Sequence, residues 1–350
     1  MAACVVGWED LTAHSDQVAR ALVGIHKQLR RAPSRGRMRW VPQHVEELGM
    51  SDTPDHVLVT GAAGLLGREV VAHMQSIGVR VTAMLHEPGD LLADRVVVGS
   101  MDNVPFVRDA LDGVDAIIHC AAIPAPMLGT AEAVFCGNTT GTFTVLEQGG
   151  QAGVRRAVIA SSYSVLGLTF APAVRHPAYL PIDELTPLQI EDPYALSKYV
   201  DELVAGLMWW RHGLSVVALR LPFLGGISDR LPNRAAHIAR DPSFGTTARE
   251  FWTYLETRDA ARACALGLSE PPPGCHVVSV VAPKTLAPYP TEQLLAFYHP
   301  DVPRRSAFPG RTAPFDLSRA GEVLHFSAEY IWETEERDFD PDAIDAQAVG

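Results

Sequence analysis

Lysine is nearly missing from this chain: of its 29 basic residues only Lys27, Lys198 and Lys284 are lysines, and the rest are arginines. Long apolar runs are missing too. No stretch approaches the ~18 residues that a membrane span needs, and the first ten residues, MAACVVGWED, lack a basic region ahead of an apolar one. Membrane insertion and secretion therefore find no support. The five cysteines (Cys4, Cys120, Cys136, Cys264, Cys275) are odd in number and widely spaced, which suggests neither a disulfide framework nor a metal-binding pair. A reducing, cytoplasmic setting is the expectation. His176, His237 and His276 likewise lack metal-ligand spacing.

Charge is unevenly placed. Residues 1–50 carry net +2, so residues 51–350 carry −14 of the total −12. An acidic main body is a poor partner for nucleic acid. The run RRAPSRGRMR could touch an acidic surface but reads more simply as a solvated linker. Val18, Leu22, Ile25 and Leu29 fall at helical spacing before that linker, so residues 1–54 form an N-terminal extension of helix plus linker, or an artefact of the start site.

From residue 56 the rhythm changes to strand, turn, helix. HVLVT (56–60), VRVTAML (79–85), AIIHC (116–120), RAVIAS (156–161) and SVVALRL (215–221) are short β-branched runs suited to parallel strands covered on both faces. Amphipathic stretches near 67–77, 104–112, 131–152 and 194–212 alternate with them. The pattern predicts a doubly wound parallel α/β sheet over 55–225, a small C-terminal substrate-binding lobe over 226–340 and a tail at 341–350.

In HVLVTGAAGLLGREV, Gly61, Gly64 and Gly67 lie between a strand and a helix. Gly61 permits a tight turn, Gly64 lets the backbone approach a pyrophosphate, and Gly67 lets helix and strand pack closely. The helix opening at Leu65 and Leu66 points its N–H groups at the anion. A dinucleotide cofactor is the implied ligand. Selectivity for NAD needs an acid at the end of the second strand, where this chain has Leu85 and His86, and Arg68 could meet a 2′-phosphate. NADP is therefore favoured over NAD, unless Arg68 merely pairs with a neighbouring glutamate.

The second signal is DPYALSKY (192–199). Tyr194 and Lys198 are four residues apart, so a helix projects both from one face. A free phenol, with pKa of about 10, is a poor acid-base group near neutrality, and an adjacent ammonium lowers that value. Tyr194 could then exchange a proton with a substrate oxygen while hydride moves at carbon, and Lys198 could also hold the nicotinamide ribose. With eight tyrosines and three lysines, chance predicts on the order of 0.07 such spacings in this chain.

Thr60 followed by G-x-x-G-x-x-G, together with Y-x-x-x-K, resembles the extended short-chain dehydrogenase/reductases of the NAD-dependent epimerase/dehydratase type, from residue 55 to about 333. In that family the segment SSYSVLG (161–167) carries a hydroxyl that holds the substrate oxygen, and the match at Val165 and Gly167 assigns this role to Ser162 rather than Ser161 or Ser164. The resemblance further implies that Asp102 contacts the adenine amino group, that Ala121 and Ala122 line the cofactor, that Asn138 lies near the active site and that Pro222 lies near the carboxamide. A homodimer through two helices of each subunit is implied as well.

Departures from the family's subgroups narrow the expectation. Tyr163 and Ser164 stand where the sugar-nucleotide dehydratases carry Asp-Glu, and Arg220 is followed by Leu221, Pro222 and Phe223 without the asparagine usual in nucleotide-sugar epimerases. An alcohol–ketone oxidoreductase acting on a sugar, a uronate or a secondary-metabolite carbonyl is expected, with a cofactor-retaining sugar 4-epimerase or a cofactor-sensing protein as alternatives. Arg230, Arg234, Arg249, Arg258, Phe251 and Trp252 are the lobe's candidates for substrate contact, though each reads more simply as a surface or structural residue. No metal is needed.

Overall fold

Alternation along each strand decides how the layers assemble. The computed structural model describes residues 53–269 and 271–343; the helix and linker expected over 1–54 fall, but for the last two positions, outside the described residues, as does most of the 341–350 tail. The first half runs β1 (His56–Thr60), α1 (Leu65–Ser76), β2 (Arg80–Leu85), β3 (Arg95–Val98), α2 (Val104–Ala110), β4 (Ala116–His119), α3 (Ala131–Gln151) and β5 (Arg156–Ser162). There follow α4 (Pro193–His212), β6 (Ser215–Leu221), β7 (Leu224–Gly225), α5 (Arg230–Arg240), β8 (Leu255–Glu256), α6 (Thr257–Leu268), β9 (Cys275–Ser279), α7 (Thr291–Tyr298) and α8 (Ser318–Leu324). Seven strands form one parallel sheet in the order β3-β2-β1-β4-β5-β6-β9.

Because successive side chains point to opposite faces, each central strand feeds two cores. Val57, Val59, Ile118, Val158, Val217 and Leu219 meet α1 and α6 on one face. Leu58, Ile117, Ala157, Ile159, Val216 and Ala218 meet α2, α3 and α4 on the other. Burial of this kind contributes roughly 1.5–3 kcal/mol per large aliphatic side chain, so both helical layers are fixed by the strand sequence.

The five strands and four helices expected up to residue 221 are present within a residue or two of their expected ends. Four strands were not anticipated: the two-residue pair β7 and β8, β3, a four-residue edge strand, and β9, which pairs with β6 from Val216↔Cys275 to Arg220↔Ser279. Thus α6 and β9, from within residues 226–340, belong to the layered sheet. α8 packs on β9 and α6, with Ala320 and Leu324 in the first core, whereas α5 and α7 border a third core, in which Leu231, Ile238, Trp252, Tyr254, Leu294 and Phe315 are buried.

The chain runs outward from β1 to β3 and then returns to place β4 on the opposite side of β1. At such a reversal the loops after the two adjacent strands diverge and leave a crevice at their carboxyl ends. The glycine turn follows β1 and Cys120–Ala122 follow β4, so both border that crevice.

Candidate active site

A cavity of about 460 Å³ opens at this crevice. Its glycine end is shaped by two close approaches. Gly61 has φ +64°, and a Cβ there would lie 2.6 Å from Ala121 N; a Cβ on Gly67 would lie 2.2 Å from Gly61 O. Neither position tolerates a side chain without backbone movement. Gly64 caps α1 without a side-chain bond and no acid occupies the first turn, so the N–H groups at Leu65, Leu66 and Gly67 face the cavity with their positive character uncompensated. This cradle fits a dinucleotide's pyrophosphate.

The other end is set by α4. Asp192 Oδ1 accepts from Ala195 N at 2.8 Å, and Pro193 occupies the first helical position, where its missing N–H costs nothing. Tyr194 therefore sits in the first turn with Lys198 one turn further on, and both line the cavity. Lys198 Nζ donates to Ala160 O at 2.9 Å and to Asp201 Oδ2 at 3.2 Å in a pair that is almost wholly buried. An ammonium has three N–H donors, so one remains for a ligand.

Behind Lys198 lies a polar column. Burial pushes the Asp201 carboxyl up, opposed by the Lys198 charge and by the nearby Thr142 hydroxyl. Thr142 also meets His119 Nε2 at 3.1 Å, and His119 Nδ1 meets Thr60 Oγ1 at 2.8 Å. Burial, reinforced by the Lys198 charge, holds the His119 imidazole down at about 3, so it is neutral. The column ties the ends of β1 and β4 to α4 and braces the lysine.

Ser162, the last residue of β5, reaches the same cavity. Its Oγ accepts from Ser164 N at 3.1 Å and from Ser164 Oγ at 2.9 Å. Having accepted twice, the hydroxyl keeps its own proton free to donate to another acceptor. Ser161 also borders the cavity, but its hydroxyl is committed, donating to Glu202 Oε1 at 2.7 Å within the buried Glu202–Arg220 pair (2.9 and 2.8 Å). Ser164 also lines the cavity, with its N–H and hydroxyl both given to Ser162 Oγ.

Of the other expected residues, Gly61, Gly64, Leu65, Leu66, Gly67, Ala122 and Pro222 line the cavity, whereas Arg68, His86, Asp102, Ala121 and Asn138 do not. His86 and Asp102 are exposed beyond the ends of β2 and β3, on the same carboxyl edge. Arg68 pairs with no glutamate among the described residues; it donates to Ala63 O at 2.9 Å and Asp90 O at 2.8 Å, tying the glycine turn to the segment after β2. Asn138 is a buried brace: its amide exchanges bonds with Ile123 N (2.7 Å) and O (3.2 Å) and donates to Ser197 Oγ at 3.0 Å.

Among the lobe's candidates, Arg230 alone lines the cavity. Arg234 pairs with Glu250, Arg249 donates to Ala171 O at 2.7 Å, Arg258 pairs with Glu256 at 3.0 Å, and Phe251 and Trp252 are core residues. Leu128, Phe170, Phe223 and Glu250 also line the cavity and had no local sequence signal. Glu250 precedes two consecutive non-glycine residues, Phe251 and Trp252, each at φ 55°. Such backbone persists only where the surroundings hold it, and both rings are buried in the lobe core. Among the described residues no group of three or more His, Cys, Asp or Glu could hold a metal ion, and no helix is long and apolar enough to cross a membrane.

A sequence profile of the NAD dependent epimerase/dehydratase family matches residues 57–277. Sterol demethylase protein B of Methylococcus capsulatus is 34% identical over 116 residues, covering 32% of this chain and 35% of that protein. A uronate dehydrogenase of Pseudomonas syringae pv. tomato is 27% identical over 227 residues, covering 63% of this chain and 77% of that protein. The chain thus spans about a third of the first relative's length and three quarters of the second's. Among solved structures, MoeE5 in complex with UDP-glucuronic acid and NAD superposes with a TM-score of 0.58 at 25% identity, covering 79% of this chain and 94% of that one.

Proposed function

The chain belongs to the NAD-dependent epimerase/dehydratase family, and from that premise we propose that it interconverts a secondary alcohol and a ketone with NAD(P) through Ser162, Tyr194 and Lys198. The observation that carries this reading is a single cavity, at the sheet's topological switch point, bordered by the glycine turn and by all three side chains. NAD(P), held by the glycine turn and Lys198, would supply the hydride acceptor for oxidation and the hydride donor for reduction. Ser162 donates to the reacting oxygen and orients it. Tyr194 takes the hydroxyl proton during oxidation and gives it back during reduction. Lys198, steadied by Ala160 O and Asp201, directs its remaining N–H to the cofactor ribose and its charge to the phenol.

NADP(H) is the preferred cofactor on this reading. Leu85 and His86 leave the end of β2 without a carboxylate, and Arg68, on the exposed edge above it, keeps N–H groups beyond those bonded to Ala63 and Asp90. The protein works as a homodimer in the cytoplasm. Support for the dimer is an apolar stripe on α4, in which Leu196, Leu203, Leu207 and Trp210 are 42–61% exposed, beside Phe143 of α3. Sedimentation at micromolar concentration tests the dimer, and a single species of one-chain mass would refute it.

The function is tested by titrating the purified protein with NADPH and NADH and then presenting ketones, alcohols and uronates with the tighter cofactor. Net formation or loss of free NAD(P)H is expected. A sugar epimerised without such turnover would point instead to a cofactor-retaining epimerase, and equal affinity for both cofactors would overturn the NADP preference.

A further inference from the structure

The wall of the cavity beyond the reacting groups carries information on the substrate that the acid-base residues do not; the inference rests on the functional reading above. Leu128, Phe170, Phe223 and Leu224 form that wall together with Pro124 and Ala125. The Phe170 ring stands edge-on to Tyr194, with centroids 6.0 Å apart at 77°. At the turn Pro126–Leu128, Met127 and Leu128 are 68% and 62% exposed, so an apolar rim borders the cavity.

Most polar side chains in the wall are already committed. Ser164 donates to Ser162. Glu250 is ion-paired with Arg234 and accepts from Thr246. Tyr163 is buried beside Glu250, and burial pushes its phenol well above the ordinary range. The buried Thr169 hydroxyl lies beside the Tyr163 phenol without a well-formed hydrogen bond, so it can serve at most one polar group. A pyranose presents several hydroxyls, and each one buried without a partner costs about 1–3 kcal/mol. The wall is a poor match for a sugar.

Arg230 is the exception. It opens α5 at the cavity wall, its guanidinium lies over the Phe223 ring at 4.7 Å, and it has no carboxylate ion pair among the described residues. The adjacent Asp229 carboxylate adds its charge nearby but forms no ion pair with the guanidinium, its Oδ1 accepting from Gly226 N at 2.6 Å and from Arg230 N. Arg234, also over Phe223 at 4.0 Å, is neutralised by Glu250. A planar cation backed by an aromatic ring is suited to a two-point bond with a carboxylate.

We propose that the substrate is a small hydroxy- or oxo-acid with an apolar body, which packs between Leu128, Phe170 and Phe223 while its carboxylate pairs with Arg230. The cavity of about 460 Å³ also takes the cofactor's nicotinamide end, which bounds the substrate's size. The proposal adds no chemical step: the hydride and proton move as above, at a carbon flanked by apolar surface.

The test presents the full-length protein, with its preferred cofactor, with 4-oxocyclohexanecarboxylate, the methyl ester of that acid, cyclohexanone, glucuronate and glucose. The acid is expected to exceed its ester in kcat/KM by about ten- to hundredfold, the worth of a charge-assisted bond. Arg230→Gln is expected to abolish that preference through KM, and Arg230→Lys to restore part of it. Binding of the acid to the cofactor-bound protein, followed by calorimetry, should weaken in parallel. Equal use of acid and ester overturns the assignment of Arg230. Oxidation of glucuronate or glucose in preference to reduction of the oxo-acid overturns the apolar substrate class and leaves the functional reading standing if Tyr194 is required. Absence of both turnover and binding of the acid counts against the proposal, whereas turnover that survives Tyr194→Phe undoes the functional reading itself.

Discussion

Gly67→Ala places a methyl group where the structure has the least room. The new Cβ would lie 2.2 Å from Gly61 O, 2.7 Å from Ala62 Cα and 2.8 Å from Gly61 C, against an ordinary contact of 3.4–4 Å. All three obstacles are backbone, so no side chain can swing aside. The start of α1 must move by roughly 1 Å from the turn after β1, and overpacking of this kind costs about 1–3 kcal/mol, here toward the upper end. The displaced helix terminus also loses its alignment on the cofactor's phosphates, worth up to about 2 kcal/mol, or roughly 30-fold in affinity. Urea denaturation reads the first effect, and fluorescence titration with NADPH and NADH the second. Gly78→Ala is the matched control. It too has positive φ (+83°), but nothing lies within 4 Å of its Cβ, so it should cost about 1–2 kcal/mol of backbone strain and leave cofactor affinity unchanged. Wild-type stability and cofactor affinity in Gly67→Ala would refute the close-approach reasoning.

Two further outcomes are expected. Glu202→Gln strips the charge partner from Arg220, in a pair whose side chains are only 4% and 6% exposed, and should cost about 3–5 kcal/mol in urea denaturation; a loss below about 1 kcal/mol would mean that water reaches the pair. Acid should destabilise the fold through two buried imidazoles, His119 held down at about 3 and His299 at about 4, in both cases first by burial. Because the unfolded chain binds these protons near pH 6.5 and the folded protein does not, their stabilisation is present above pH 6.5. It is lost as pH falls toward the folded values. At pH 5 the loss is on the order of 2 kcal/mol for each histidine. Denaturation midpoints in His119→Asn should fall less steeply between pH 7 and 5 than in wild type, and parallel curves would contradict the assignment.

The parts of this molecule that were legible in sequence are those set by neighbours along the chain. Strands buried on both faces announce themselves by unbroken β-branched runs, and the glycine spacing of 61–67 and the Asp192–Pro193 start of α4 are complete within a few residues. Edge strand β3 is half exposed and short, and β9 is a strand only because β6 lies beside it, so neither carries a strong local pattern. Leu128, Phe170, Phe223 and Glu250 reach one cavity from four separate segments, and Glu250 depends on a turn held by lobe packing. Arg68 illustrates a different limit. Its position beside the glycine turn was readable, but its bonds to backbone carbonyls depend on where the segment after β2 returns. Lys198 was conspicuous because lysine is scarce, whereas its buried partner Asp201 had no such contrast.

The proposed role of Tyr194, moving the proton while hydride moves at carbon, is tested most directly by single-turnover hydride transfer in Tyr194→Phe. The comparison uses the best substrate of the panel and a saturating cofactor. The phenyl ring preserves packing against Phe170 and removes only the hydroxyl. The account predicts a rate lowered by about 10²- to 10⁴-fold, with cofactor affinity and urea midpoint near those of wild type. Hydride transfer at the wild-type rate in a variant that binds cofactor normally would contradict it.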